Sequence, residues 1–249
     1  SESVIRPDFH LDHTPGHQLC SRVIGVPVSS VSPCHSQSLW QDSRVRYWSA
    51  IIPFKGNVEA KSRLRGLYGI DGPDWADAFL LDTLAAVIEE PRIAEIVIVT
   101  ASMKYPQHPK IRSVTDPERG LNAAIQVGAE TAEHSPLVIP GDLVTLNSQE
   151  FSTFLTSISE CARGFTPDIQ NIGTTILFAD GAANLRPQYG VNSAAAHRAS
   201  GACECFAAES LRIDIDNNVS LIDHRNVLGK HTTRLLSMAQ HFPGQNPTS

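Results

Sequence analysis

The sequence has little that would anchor, cross-link or heavily charge it. No apolar run approaches the roughly 18 residues that a membrane helix needs. The N-terminus also lacks the basic and apolar regions of a signal peptide, so the expectation is a cytoplasmic protein with no membrane contact. Cysteine is sparse: Cys20, Cys34, Cys161, Cys203 and Cys205 are odd in number and lack disulfide-scaffold spacing, which suits a reducing compartment. Positive charge is short too. With 20 Lys and Arg against 26 Asp and Glu, a net charge of −6 and no basic cluster beyond one early loop, no nucleic-acid partner is expected. An internal repeat and an obvious catalytic His or Cys motif are both missing.

What is present is enough for one sizeable α/β domain. The chain has 249 residues, 41% hydrophobic and 18% charged, which allows an ample core. Residues 1–44 are rich in Ser, Pro and His without helical or strand periodicity and read as an extension outside the core. His10, His13, His17 and Cys20 have zinc-ligand chemistry, but no second Cys/His pair with finger spacing follows, so a polar tail is the preferred reading.

The core opens with an aromatic and aliphatic run, Tyr47 to Ile52, that predicts a buried strand ended by Pro53. The loop beyond carries Lys55, Gly56, Asn57, Lys61 and Arg63. Such a loop is either a solvated basic turn or a phosphate site in which backbone N–H groups and cations face an anion. Pro73-Asp74 starts a helix with Trp75, Phe79, Leu80, Leu84, Val87 and Ile88 at helical spacing, up to Pro91. Ala94 to Thr100 predicts a strand buried on both faces, followed by a brief strand near Ile111 to Val114. A helix is expected from Gly120 to about His134, then a strand from Leu137 to Pro140 ending in Gly141-Asp142-Leu143. Asn147 is a helix cap. Further strands are expected at Phe165 to Ile169 and Thr174 to Ala179, a small-residue helix from Ser193, and a last strand from Leu211 to Ile215 ending at Asp214 and Asp216. Strands alternating with helices argue a largely parallel sheet covered on both faces, with ligands at the carboxyl ends of its strands.

Asp142, Asp214 and Asp216 all fall at expected strand ends. Converging carboxylates repel one another unless a divalent cation is present, and oxygen ligands of this type suit Mg²⁺; taken singly, each Asp reads first as a strand-end or cap residue, and it is their combination with the upstream basic loop that raises the metal reading. Gly173-Thr174-Thr175 and Tyr189-Gly190-Val191-Asn192-Ser193 form a candidate second anion pocket, or else a turn and a capped helix. His197 and Arg198 either bind phosphate there or cover the helix. Cys203 and Cys205 read as buried small hydrophobes in preference to a soft-metal site.

Taken together, a set of motifs resembles the guanylyltransferases of coenzyme F-420 biosynthesis, collinearly from about residue 46 to 228. They are Ile52-Pro53-Phe54-Lys55, Ala60-Lys61-Ser62-Arg63-Leu64, Gly120-Leu121-Asn122, Gly141-Asp142-Leu143, Gly173-Thr174, Tyr189-Gly190 with Ser193 and His197, and Leu211-Arg212-Ile213-Asp214-Ile215-Asp216. The resemblance implies a Rossmann-like nucleotidyltransferase fold over residues 45–230, followed by a tail at 231–249. It also implies a reaction that joins GTP to a phosphorylated three-carbon acid with release of pyrophosphate. By the same resemblance Mg²⁺ falls to Asp142, Asp214 and Asp216, and phospho-acid contacts to Lys61, Thr174, Gly190 and Ser193. Nucleotide contacts fall to Lys55, Arg63 and Asn122, with Lys61 and Asp142 catalytic. The run Arg186 to Gly190 with Ala196 to Ala202 is most similar to members that favour phosphoenolpyruvate; others use 2-phospho-L-lactate or 3-phosphoglycerate. Two positions depart from the family pattern: Val144 stands where Pro is usual, and Asn217-Asn218 where Thr-Pro is usual. A homodimer and a hand-off to the next enzyme of the pathway remain open expectations. So do two rivals, a molybdenum-cofactor-type or sugar-phosphate nucleotidyltransferase and a non-catalytic nucleotide-binding module.

Overall fold

A computed structural model describes residues 45–56, 61–101 and 106–239. The N-terminal extension with its His10, His13, His17 and Cys20, and the loop residues Asn57 and Ala60, lie outside these.

Strand β1 (Trp48–Pro53) is the centre of the sheet, and every residue from Trp48 to Ile52 is buried. It pairs in parallel with β2 (Ile93–Thr100) on one side and β4 (Ser135–Val138) on the other. The β-branched run of β2 is apolar on both faces because helices cover both. Outside it lies β3 (Ile111–Thr115), again parallel. Beyond β4 come β6 (Thr174–Ala179), β5 (Arg163–Pro167) and β7 (Cys203–Glu204), giving the order β3-β2-β1-β4-β6-β5-β7. Strand β6 pairs antiparallel with both β4 and β5, and β7 is parallel to β5. β6 alone therefore runs against the others. The carboxyl ends of β1 to β5 share one edge, and Thr174 begins β6 at that same edge. This is the mostly parallel α/β sheet expected from the alternation of elements.

On one face lie α1 (Gly72–Glu89), whose Leu80, Leu84 and Val87 join the main core, and α3 (Ser148–Ser157) with Phe151 and Phe154. Asn147 caps α3 as expected, its Oδ1 accepting the N–H groups of Gln149 and Glu150. The other face carries α2 (Leu121–Glu130), α4 (Ala182–Leu185) and α5 (Ser193–Ala199) through Ala124, Ile125, Leu185 and Ala194. Helix α2 lies so close to the sheet that a Cβ on Gly128 would meet the γ-methyls of Ile51 and Val99 at 2.7 Å.

Two segments differ from the sequence reading. Leu211 to Ile215 is no strand: a 3-10 turn at Glu209–Leu211 is followed by irregular chain outside the sheet, tied to the segment just after β5 by Ile169 N–H donating to the Arg212 carbonyl at 2.9 Å. The alternation of Leu211, Ile213 and Ile215 is real, since all three are buried, but it records packing, Leu211 in the main core and Ile213 and Ile215 beside α1, and not ladder pairing. Beyond α6 (Asn218–Asp223), residues 231–238 of the segment set apart as a tail belong to helix α7 (Lys230–Met238), with Leu236 packed among Trp75 and Phe79 of α1. Its first turn is held by a carboxylate inside α1, where Asp82 Oδ1 and Oδ2 accept the N–H groups of His231 and Thr232, both at 2.8 Å. Gly229 is obligatory beside it, because a Cβ there would meet the Asp82 carboxyl at 2.2 Å.

Candidate active site

The carboxyl ends of β1 and β4 open into a crevice of about 410 Å³ lined by Lys55, Lys61, Arg63, Asp142 and Asp216, with Ala76 and Phe79 of α1 also lining it. The loops after β1 and β4 meet there because both strands end at the same edge, and α1 and the chain at Asp216 close the sides. Lys61 is the hub. Its ammonium donates to Asp142 Oδ2 at 2.6 Å, Asp216 Oδ1 at 2.8 Å and the Ile215 carbonyl at 2.8 Å, so all three of its protons are engaged. The residue reaches this position from a left-handed backbone, φ 47 and ψ 42, sparsely populated by residues other than Gly, Asn and Asp. Burial works against the charged form of Lys61, yet Asp142 and Asp216 outweigh it and hold the ammonium above its ordinary pKa. The Phe79 ring, centred 5.5 Å from Nζ, excludes water from one side.

The carboxylates outnumber this cation. Asp142 Oδ1 is buried and has no hydrogen-bond partner. Asp214 is pushed up to about 6, first by burial and then by the charges of Asp142 and Asp216. An unpartnered buried carboxylate oxygen beside a carboxyl that resists ionisation is a donor set suited to a hard cation. Among the described residues, however, no group of three or more His, Cys, Asp or Glu side chains is arranged to hold a metal ion. In this arrangement Asp142 and Asp216 close on Lys61 instead. Lys55 and Arg63 are exposed at the rim.

The second cluster stands at the same edge, where β6 begins. The β5–β6 register skips Thr175, with Thr166 opposite Ile176 and Pro167 opposite Thr174. Such a bulge breaks the alternation of faces and re-aims a side chain. Thr174 Oγ1 lies 2.9 Å from Nδ1 of His197, whose Nε2 accepts the Gln188 N–H at 2.9 Å. His197 is fully buried against Phe165 and Tyr189, and burial first, then the charge of Arg163, lowers it to about 4. The loop it supports is clasped from α2. Asn122 Oδ1 accepts the Tyr189 N–H at 2.7 Å and its amide donates to the Tyr189 carbonyl at 3.0 Å. Gly190 follows at φ 144, a conformation that favours glycine, and its carbonyl accepts the N–H of the buried Ser193.

The structure thus gathers Lys55, Lys61, Arg63, Asp142 and Asp216 in one crevice, with Asp214 close enough to feel two of the carboxylates. It gathers Thr174, Gly190 and Ser193 around the His197 loop. Asn122 belongs to that loop, with both amide atoms engaged there. Arg198 pairs with Glu204 at 2.6 Å. Sequence reasoning missed the Gln188 N–H and the Asn122–Tyr189 clasp, which no motif marks. A histidine flanked by small residues, Ala194 to Ala196 before it and Ala202 after, was the available signal for burial. The two departures from the family pattern have structural roles: Val144 is buried and its carbonyl accepts the Gly229 N–H, while Asn217 caps α6 and Asn218 accepts the Tyr68 hydroxyl.

Fold and edge-located crevice together define a Rossmann-like α/β protein with the nucleotidyltransferase fold. The solved structure of 4-diphosphocytidyl-2C-methyl-D-erythritol synthase matches with a TM-score of 0.51 at 11% identity, over 73% of this chain and 98% of that one. Sequence relatives narrow the class. A protein of Geodermatophilus obscurus named phosphoenolpyruvate guanylyltransferase is 36% identical over 216 residues, 80% of this chain and 99% of that one. A protein of the same name from Streptomyces coelicolor is 34% identical over 187 residues, 70% of this chain and 88% of that one. No protein-family model matches the chain. The chain belongs to the phosphoenolpyruvate guanylyltransferase family. Among the described residues no helix is long and apolar enough to cross a membrane.

Proposed function

We propose that the protein transfers the guanylyl group of GTP to phosphoenolpyruvate with release of pyrophosphate, in the cytoplasm and as a step of coenzyme F-420 biosynthesis. The observation that carries this reading is the identity of 36% with a protein of that name along 80% of the chain. The crevice supplies fitting chemistry. The acid's phosphate oxygen attacks the α-phosphorus of GTP as the bond to the β-phosphate oxygen breaks. A phosphate monoester is largely dianionic near neutral pH, its second pKa being about 6, so no protein base is required. Catalysis then reduces to positioning and charge stabilisation.

Lys55 and Arg63 at the rim neutralise the β- and γ-phosphates, which leave as pyrophosphate. Lys61 holds Asp142 and Asp216 and keeps a positive charge on the crevice wall. Thr174, Gly190 and Ser193 hold the acid, and Asn122 fixes the loop that carries Gly190. Asp142 through its unpartnered Oδ1, with Asp214 and Asp216, would hold Mg²⁺. When bound, the ion supplies a Lewis-acid charge to the phosphate oxygens.

Purified protein incubated with GTP, Mg²⁺ and phosphoenolpyruvate, 2-phospho-L-lactate or 3-phosphoglycerate should release pyrophosphate fastest with phosphoenolpyruvate. A faster rate with another acid would reassign the substrate, and no pyrophosphate with any acid would reject the reaction.

A further inference from the structure

His197 has two polar contacts, and between them they fix where its proton sits. The Gln188 backbone N–H can only donate, so Nε2 must be the bare, accepting nitrogen. A proton on Nε2, whether in the other neutral tautomer or in the imidazolium, would face that N–H donor to donor. Nδ1 therefore carries the hydrogen and donates it to Thr174 Oγ1 at 2.9 Å. Full burial and the lowered pKa agree with a neutral ring near pH 7.

The consequence falls on Thr174. Its oxygen already accepts from His197, so its own proton must leave in another direction. His197 is the one hydrogen-bond partner of that hydroxyl among the described residues. The side chain is only half-buried, at the sheet edge that also carries Asp142. We infer that His197 is a positioning residue for the acid substrate: its Nδ1–H, held by the Gln188 N–H on the opposite nitrogen, makes the Thr174 hydroxyl a donor to an anionic oxygen of the phospho-acid. This rests on the reading of Thr174 as an acid contact. The preferred ligand atom is a carboxylate or phosphate oxygen, because a charged acceptor makes the stronger hydrogen bond to such a donor. The Asn122 clasp on Tyr189 belongs to the same device, since it anchors the residue next to Gln188 and so the N–H that sets the tautomer.

The test separates hydrogen bonding from packing through the choice of side chain. His197→Asn places an amide near the Nδ1 position and can still donate to Thr174. His197→Gln extends past it toward the Gln188 N–H, and His197→Phe keeps the ring with neither contact. Steady-state pyrophosphate release should give a KM for phosphoenolpyruvate raised about tenfold in His197→Phe and His197→Gln, the scale of one lost hydrogen bond to a charged group. His197→Asn should recover most of that loss, and the KM for GTP should stay within about twofold throughout, since one hydrogen bond in another pocket is what changes. Thr174→Val should raise the same KM, and adding His197→Phe to it should do nothing further. A purely structural histidine gives the opposite ranking, with Phe mildest as the nearest in shape and Asn worst, and that ranking overturns the proposal. So does an additive double variant. If Thr174→Val raises the KM while His197→Phe and His197→Gln do not, this inference fails and the functional reading stands. If wild-type protein releases no pyrophosphate, both fall.

Discussion

Around Lys61 the site is built from full charges, whereas around His197 it is built from a neutral ring, a hydroxyl and backbone amides. The first region places one ammonium against two carboxylates with a third nearby, over an apolar wall that includes Phe79. The second excludes charge from its centre and fixes the direction of each donor through a chain from Asn122 to Tyr189 and from Gln188 through His197 to Thr174. Full charges act at a distance and suit a triphosphate, which brings several negative charges and must lose two phosphates in the reaction. Directed neutral donors act at contact range and suit discrimination among small acids that carry the same charge.

If that division holds, variants in the first region should damage turnover and variants in the second should damage recognition. The largest effect is expected for Asp142→Asn, which keeps shape but removes the carboxylate that both pairs with Lys61 and carries the unpartnered oxygen. Its kcat/KM should fall about 100-fold or more, the scale of losing a preorganised electrostatic group. Pyrophosphate release near the wild-type rate would erase the distinction between the regions. Lys61→Ala should lower kcat/KM by about tenfold or more. It should also make the thermal midpoint in the absence of nucleotide rise more steeply with added Mg²⁺ than in wild type, since three carboxylates lose their common counter-charge; an unchanged response would mean that the aspartates relax apart. Asp216→Asn should do less than Asp142→Asn, because its side chain is 50% exposed against 23% and water can compensate.

The smallest effect is one of stability and belongs to the second region. The pKa of His197 is about 4 when folded and about 6.5 when unfolded, so in that window the unfolded chain binds the proton and the native protein does not. Its neutral burial therefore contributes fully above about pH 6.5 and is lost as pH falls towards 4. Thermal midpoints measured across this range for wild type and His197→Phe should diverge at pH 7 and converge at the acid end, and parallel curves would show that the ring titrates freely.

The sheet was largely legible from the sequence because burial on both faces demands the uninterrupted runs Ala50 to Ile52 and Ile96 to Val99. The cations and carboxylates of the crevice were legible for a related reason: strand ends of a parallel sheet share an edge, so residues following apolar runs converge. Other features were hidden because they depend on backbone geometry. The left-handed conformation of Lys61, the bulge at Thr175 and the tautomer of His197 are set by contacts between distant segments, not by any local pattern. The strand expected at Leu211 to Ile215 shows the reverse error, a period-2 pattern produced by packing alone. Helix α7 escaped notice because its anchor, Asp82, looks like an ordinary polar position within the pattern of α1.

That anchor has a consequence for the order of assembly. Both oxygens of Asp82 are satisfied by N–H groups 149 and 150 residues further along the chain. At the roughly 5–20 residues per second of synthesis, about 8–30 s pass between the appearance of the carboxylate and that of its partners. Throughout that interval α1 cannot be fully covered on this side without burying an unpaired charge. The seal over this side of the first helix therefore waits for a segment made 149 to 150 residues later.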